Sequence, residues 1–338
     1  ALNADEEDAN SLLINPLISL RDNDTRKERI NYNLAGSITW EIIKDLKLKA
    51  EVGYDDYRNN ADRYYGVTTY YVRNNVDDED KSKPAISFTR GTRTAFRSTN
   101  TLSYDFKKFF KNNKNHLNLL AGQEYIVTRE RELRNVVHGF PTEYTADDCI
   151  NYSTKGNPYE VTNYGYPDDV LFSFFGRANY DFDSKYLFSA TFRADGSSKF
   201  AKGNQWGFFP SAAVAWRISS ESFMENTKNW LDDLKLRFSY GTAGNNNIPY
   251  MANSDLTWET TITRNVGLDF TTLGGRLSGT IEGYWNNTKD LLIMFPTSGT
   301  GYNYQYRNMG ETENKGLEAS VNWVAVDKKN FGLSIGAN

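Results

Sequence analysis

Between residues 276 and 287 apolar and polar side chains alternate almost without interruption. Leu277, Gly279, Ile281, Gly283 and Trp285 fall on one side. Arg276, Ser278, Thr280, Glu282, Tyr284 and Asn286 fall on the other. A period of two with one apolar and one polar face predicts a β-strand between an oily and a wet environment. The pattern recurs and predicts about twelve strands: 30–43, 46–57, 89–106, 116–128, 171–182, 186–195, 206–218, 234–242, 258–270, 276–287, 312–326, and a last one that begins at 331 and is still in pattern at Asn338. In the first, Tyr32, Leu34, Gly36, Ile38, Trp40 and Ile42 share the oily face. In the second, Leu48, Ala50, Val52 and Tyr54 oppose Lys47, Lys49, Glu51 and Asp55.

The connections alternate between short and long. The hairpins at 44–45, 183–185, 272–275 and 327–330 are tight, and 107–115 and 219–233 are somewhat longer members of the same set. Between them fall the long polar intervals 58–88, 129–170, 196–205, 244–257 and 290–311. Short turns on one rim and long loops on the other are the pattern of an all-β, antiparallel transmembrane β-barrel. Strands of about 10 to 14 residues rise roughly 33 to 46 Å, enough to span a hydrocarbon layer at a tilt of about 40°. Trp40, Tyr104, Phe182, Tyr186, Trp216, Phe270, Trp285 and Trp323 stand near the ends of oily faces and suit an interfacial girdle. The competing reading is a large soluble β-sandwich or β-solenoid, although no repeat of 20 to 50 residues supports a solenoid.

Composition sharpens this picture. The 338 residues include 22 Tyr, 20 Phe and 7 Trp but only 8 Pro, which suits long paired strands. A net charge of −4 gives no basic field for nucleic acid. Mean hydropathy is −0.66, and no apolar run approaches the roughly 20 residues of a membrane helix. A barrel is compatible with both values, because half of each strand faces a polar lumen.

Candidate chemistry is sparse. His116 and His138 are far apart and lack Cys or carboxylate neighbours at ligand spacing, so no metal site and no cofactor are expected. The acidic run Asp77-Asp78-Glu79-Asp80 could attract calcium, but a solvated loop explains it as well. Cys149 stands alone in a polar stretch and is expected to be an incidental thiol. The glycine-rich 241–247 lacks the Lys-Ser/Thr ending of a phosphate loop and is expected to be a strand ending in a turn. No nucleophile elbow, HExxH or triad-like grouping marks an enzyme.

Ligand contact has better candidates. Tyrosine offers a flat apolar face and a hydrogen-bonding hydroxyl, as a saccharide or peptide site requires. The long intervals supply Tyr64, Tyr65, Tyr70, Tyr71, Tyr164, Tyr166, Tyr302, Tyr304 and Tyr306 as substrate- or lid-contacting candidates. The alternative is aromatic packing within the loops themselves. Arg193 and Asp195 face the lumen by alternation and, with Lys199, are expected to form a polar network on the barrel wall.

An ordered series of motifs then resembles a known family. RADGSSKFA at 193–201 is followed by GFFPS at 207–211, WRISSESFM at 216–224, LKLRFSYGTAGN at 234–245, LTWETT at 256–261, VGLDF at 266–270 and NMGETENKGLE at 308–318. Together, in this order, they are similar to the SusC/RagA family of TonB-linked outer-membrane transporters. The resemblance is firm over 170–318 and looser before it. It implies a 22-stranded barrel in the bacterial outer membrane, of which about 12 strands are present here. It also implies import of oligosaccharides or peptides, a SusD-like surface lipoprotein over the extracellular mouth, and energy from TonB acting on an N-terminal box ahead of a plug domain.

Residues 1–338 are accordingly expected to be a partial barrel without plug, TonB box or the family's terminal aromatic residue. Ala1 opens on an acidic polar stretch with no signal peptide, so a cleaved leader or an interior piece is expected. Family members usually carry a longer loop where residues 248 and 253 stand, and an omitted segment is expected there. The alternatives to an energised importer are a passive porin or adhesin barrel and a soluble carbohydrate-binding or lyase β-protein.

Overall fold

The computed structural model describes residues 16–74, 79–106, 110, 114–248, 253–297 and 304–338. Twelve strands follow one another in a single antiparallel path: β1 (Asn23–Ile43), β2 (Leu46–Tyr65), β3 (Ala85–Asp105), β4 (Asn115–His138), β6 (Asp169–Phe182), β7 (Tyr186–Ser197), β8 (Trp206–Arg217), β9 (Leu231–Asn245), β10 (Glu259–Thr272), β11 (Leu277–Lys289), β14 (Glu311–Lys328) and β15 (Phe331–Ala337). The strand β5 (Asn157–Gly165) pairs with the far half of β4, and β12 (Leu292–Pro296) pairs with β13 (Tyr304–Asn308) in a separate ribbon. Short helices α1 (Pro16–Arg21), α2 (Tyr70–Asn74) and α3 (Ala146–Asn151) and the 3-10 turns Ser153–Lys155, Ile218–Ser220 and Ser222–Thr227 complete the described elements. No helix among the described residues is long and apolar enough to cross a membrane.

All twelve strands anticipated from alternation are present, but the first four run well past the anticipated ends, to between 20 and 24 residues. The added segments carry polar groups on both faces, such as Arg58-Asn59-Asn60 in β2 and Arg129-Glu130-Arg131-Glu132 in β4. Sheet pairing holds them extended without an apolar face to announce it. The tight hairpins are built on left-handed residues. Asp183 and Ser184 both have positive φ between β6 and β7, as a twist-matched two-residue turn needs. Between β10 and β11 the turn occupies 273–276, one residue later than anticipated, with Leu273, Gly274 and Gly275 all at positive φ. Leu273 is an unfavourable residue there. Its N–H donates to the Trp230 carbonyl at 3.0 Å, and the Gly275 N–H donates to Asp232 Oδ2 at 2.9 Å.

The chain divides into two compact units: 1–35, 53–96 and 128–168 form one, and 36–52, 97–127 and 169–338 form the other. The first has two small cores, one of Tyr65, Val72 and Ala85 and one of Ile86, Val137, Phe140 and Cys149. In the second, Phe200, Phe209, Ile248, Leu256 and Trp258 form the buried cluster, with Leu171, Leu292 and Tyr306 packed against it. Phe209 points from β8 to the polar side, and its ring lies over Gly207 and Gly244. A Cβ at either glycine would fall 2.5 or 2.0 Å from that ring, so both positions require the missing side chain. This cluster fastens the chain around 200, 253–258, Leu292 and Tyr306 to the strand ends.

The other face of the second unit is apolar and uncovered. On β11 and β14 the cross-strand pairs Leu277–Trp323, Gly279–Val321, Ile281–Ala319 and Gly283–Leu317 run in unbroken register. Ile281 is 52% exposed and Leu317 85%. The same face continues through Leu268 and Val266 on β10, Phe238 on β9 and Phe188 on β7. A soluble sheet of this size would bury such a surface; here only a non-aqueous environment satisfies it.

Candidate functional site: the polar wall and the loop aromatics

Alternation puts every second side chain of the second unit on the opposite, polar face, and two charge networks occupy it. Arg193 lies at the centre of the first. Its Nε donates to Asp195 Oδ1 at 2.7 Å, and its Nη2 donates to Glu124 Oε1 at 2.8 Å and Ser173 Oγ at 2.9 Å. The guanidinium also sits 5.5 Å from the centre of the Phe175 ring. Ser173 is fully buried and Asp195 nearly so. Charge-assisted, multiply bonded pairs of this kind hold their geometry far better than exposed ones. Lys199 does not join this group; its Nζ pairs with Asp169 Oδ2 at 3.2 Å.

The second network spans β9, β10 and β11. Arg237 binds Asp269 through two donors, at 2.8 and 3.0 Å, and reaches Glu282 at 3.2 Å. Lys235 pairs with Asp269 at 3.1 Å, Thr280 donates to it at 3.1 Å, and Asn265 donates to Glu282. Gly267 is the registered partner of both Arg237 and Glu282, and the guanidinium crosses over it. Alternation put Thr280 and Glu282 on the polar face, but the sequence did not single out this network. The usable signal was registration: once the β9–β10 and β10–β11 hairpins are aligned, opposite charges meet across neighbouring strands. Thr261 and Thr288, in hydroxyl contact at 2.9 Å, and Tyr284 continue the polar face toward the long loops.

The tyrosines anticipated as loop residues are mostly held in regular elements. Tyr64 and Tyr65 end β2, Tyr70 and Tyr71 lie in α2, Tyr164 lies in β5 with Tyr166 just beyond it, and Tyr304 and Tyr306 lie in β13. The polar intervals contain short elements whose few residues cannot display a period. Tyr302 lies outside the described residues, as do Asp77, Asp78 and segment 249–252 with its anticipated omission.

Within the first unit Tyr65 and Tyr71 stack with centroids 4.1 Å apart, and Arg63 covers Tyr65 at 4.6 Å. The Tyr71 hydroxyl meets His138 Nε2 at 2.9 Å, and the His138 ring stacks on Tyr159 at 4.0 Å. Burial pushes the Tyr71 hydroxyl up to about 12, so it remains a neutral hydrogen-bonding group at any physiological pH. Tyr64 packs against the Ile86–Phe140 core, and Tyr306 against the Phe209 cluster. Tyr70, Tyr164, Tyr166 and Tyr304 keep exposed rings, with Tyr164 and Tyr166 stacked on each other at 6.2 Å. The structure thus divides the eight described tyrosines into packed rings and exposed ones.

No cluster of three potential metal ligands occurs among the described residues. Asp80 accepts from Lys83 at 3.4 Å and from Asn157 at 3.2 Å, which ties its loop to β5. Cys149 is fully buried in α3, and burial pushes its thiol up to about 12. That is the opposite of the depressed value a nucleophilic cysteine needs. The segment 241–247 is the end of β9 and a turn, as anticipated.

Comparison with known proteins gives a consistent picture. A family model described as "TonB dependent receptor-like, beta-barrel" matches residues 3–338. The TonB-dependent receptor SusC of Bacteroides thetaiotaomicron is 39% identical over 203 residues, covering 50% of this chain and 20% of that protein. The TonB-dependent receptor P3 of Formosa agariphila is 33% identical over 270 residues, covering 71% of this chain and 26% of that protein. Among solved structures, that of the RagAB peptide transporter superposes with a TM-score of 0.78 and 25% identity, over 94% of this chain and 36% of that one. The chain therefore spans between a fifth and about a third of the length of these relatives.

Proposed function

Because the chain belongs to the TonB-dependent receptor-like β-barrel family, outer-membrane transporters rather than enzymes, we propose that it forms the wall and part of the mouth of an energised importer of oligosaccharides or peptides. The observation that carries this reading is the two-faced meander. Twelve strands in one hydrogen-bonded path present one uncovered apolar face and one polar face knitted by ion pairs, with long connections at one set of strand ends. Such a wall separates lipid from a wide aqueous or plug-filled lumen.

On this reading the remainder of the protein supplies a plug and a TonB-engaging box, and a SusD-like surface lipoprotein closes over the loops. The similarity to the RagAB peptide transporter over nearly the whole chain supports a peptide as cargo, and the similarity to SusC keeps the SusC-type carriers in view. Exposed rings at Tyr70, Tyr164, Tyr166 and Tyr304 are the surfaces on which such a cargo or lid would rest. Within the second unit the Arg193–Asp195–Glu124 group braces the polar face of the wall.

Uptake by cells carrying the full-length protein tests the energised reading. Deleting the TonB-engaging box should abolish accumulation of the cargo. Undiminished uptake would point instead to a passive pore. Co-purification of a surface lipoprotein with the tagged full-length protein tests the partner.

A further inference from the structure

The apolar face does not stay apolar along its whole length. On β11 the outward side chains run Leu277, Gly279, Ile281, Gly283 and Trp285, and on β14 they run Trp323, Val321, Ala319, Leu317 and Lys315. Trp285 opposes Lys315 on one side and Arg264 on the other. Eight residues separate each strand's first outward residue from this row. At about 3.4 Å per residue and a tilt of about 40°, that is roughly 21 Å along the membrane normal, close to the far boundary of an apolar band about 25 Å tall. The row lies toward the long-loop ends of the strands, which in the proposed importer face outward.

Arg264 is the unusual member. Its neighbours in sequence, Thr263 and Asn265, point to the polar wall, so the guanidinium stands on the oily side. It is wedged between two rings, 5.2 Å from the centre of Trp285 and 5.9 Å from that of Tyr240. Its only polar partner in the row is Asn287 Oδ1 at 2.9 Å, and it pairs with no carboxylate among the described residues. Lys315 is paired with Glu313 at 2.9 Å, and Glu313 also accepts from Trp285 Nε1 at 3.0 Å. One step further along, Glu311 opposes Lys289. The patch therefore carries one cation more than its carboxylates neutralise. Below it a shallow groove is lined by Val266, Gly283 and Leu317, with Arg264, Trp285 and Lys315 at its rim.

We propose that Arg264 and Lys315, with Trp285 between them, hold the phosphate of an anionic outer-leaflet lipid whose acyl chain lies along the Val266–Gly283–Leu317 groove. This rests on the lipid-facing reading of the apolar surface. An arginine on that face, paired with no carboxylate among the described residues, takes its counter-charge from its surroundings, and a phosphate matches its planar fork. The aromatic rings fix the guanidinium at headgroup depth. Glu313 competes for Lys315 and sets the strength of the site.

The test uses the full-length protein in detergent, titrated with phosphatidylglycerol or phosphatidylcholine and read by native mass spectrometry. Wild type should retain phosphatidylglycerol over phosphatidylcholine. R264Q/K315Q should lose roughly fivefold of that preference per cation, the scale of one basic side chain near an anionic surface. E313Q, which removes the competing carboxylate, should increase it. Millimolar inorganic phosphate should not displace the lipid. Equal retention of both lipids by wild type, or an unchanged preference in the double variant, overturns the assignment. A parallel measurement keeps the two layers apart: brominated phosphatidylcholine should quench the part of the fluorescence that W285F removes. Quenching without a charge preference refutes the lipid site alone. Absence of quenching refutes the lipid-facing surface as well.

Discussion

Ile281 separates a membrane wall from a soluble sheet. It stands on β11 four residues from Leu277 and four from Trp285, on the apolar face, opposite Leu268 and Ala319. Four residues are about 14 Å of strand, or roughly 10 Å along the normal at a tilt of about 40°. Ile281 is therefore near the middle of the apolar band. Replacing it with arginine puts a charge where neither water nor a partner reaches it, at a cost of about 2 to 4 kcal/mol for a barrel residue near the midplane. Thr280, its neighbour, faces the polar wall beside Asp269. Thr280→Arg should cost far less, because a carboxylate and water are within reach. The assay is urea unfolding of the full-length protein in lipid vesicles, followed by tryptophan fluorescence, with all variants in the same lipid. If the sheet were soluble, Ile281 at 52% exposure would be a surface position and its change to arginine would fall within about 0.5 kcal/mol of neutral. A shift that small, or one no larger than that of Thr280→Arg, refutes the reasoning.

Three further outcomes follow from the packing of the loops. Phe209→Ala empties the slot between Gly207, Gly244 and Trp258; a buried Phe→Ala change costs about 3 to 5 kcal/mol locally, so amide exchange should accelerate around 200 and 253–258 while the strands remain protected. Unchanged exchange there would show that the cluster does not anchor those segments. Cys149 should resist iodoacetamide at pH 8 in the native protein and react after unfolding; rapid native labelling would contradict its burial. Its thiol is raised from 9.0 to about 12 in the folded state, so its stabilising effect is complete below pH 9 and is lost as pH rises from there toward 12. Exchange of α3 amides, corrected for intrinsic rate, should therefore increase across that window and not below it.

The sequence made the membrane-spanning strands legible because each lies between two different solvents. In β11 or β7 every second residue must be apolar, and the period survives any loop variation. It was silent where both faces meet water. The far halves of β1–β4 carry polar residues on both faces over much of their length, so Arg129-Glu130-Arg131-Glu132 looked like loop and is strand. The short strands β5, β12 and β13 have too few residues to show a period, and Pro158 and Pro296 argue locally against them. Arg193 and Asp195 could be anticipated because two positions on one strand share a face. Glu124, Ser173 and the Arg237–Asp269–Glu282 group could not, since their meeting depends on register between strands. Lys199 shows the converse: closeness in sequence placed it with Arg193, whereas the fold carries it to Asp169. For the tyrosines, type and polarity of context indicated an interaction surface, but whether a ring is free depends on what packs above it. Tyr65 and Tyr306 are taken up by cores and Tyr164 is not.

The most direct test is a nitroxide scan along β11 in the full-length protein reconstituted in lipid, one position at a time from 277 to 285. Cys149 is the only cysteine of these 338 residues and is buried; cysteines elsewhere in the full-length protein are replaced by serine before labelling. Collision rates with oxygen, which concentrates in lipid, and with a water-soluble nickel chelate report the environment of each site. A lipid-facing wall predicts high oxygen and minimal nickel accessibility at 279, 281 and 283, with the largest contrast at 281, and a reversal or loss of that contrast at 278, 280 and 282. Nickel accessibility at 281 equal to that at 280, or no period of two, would contradict the account.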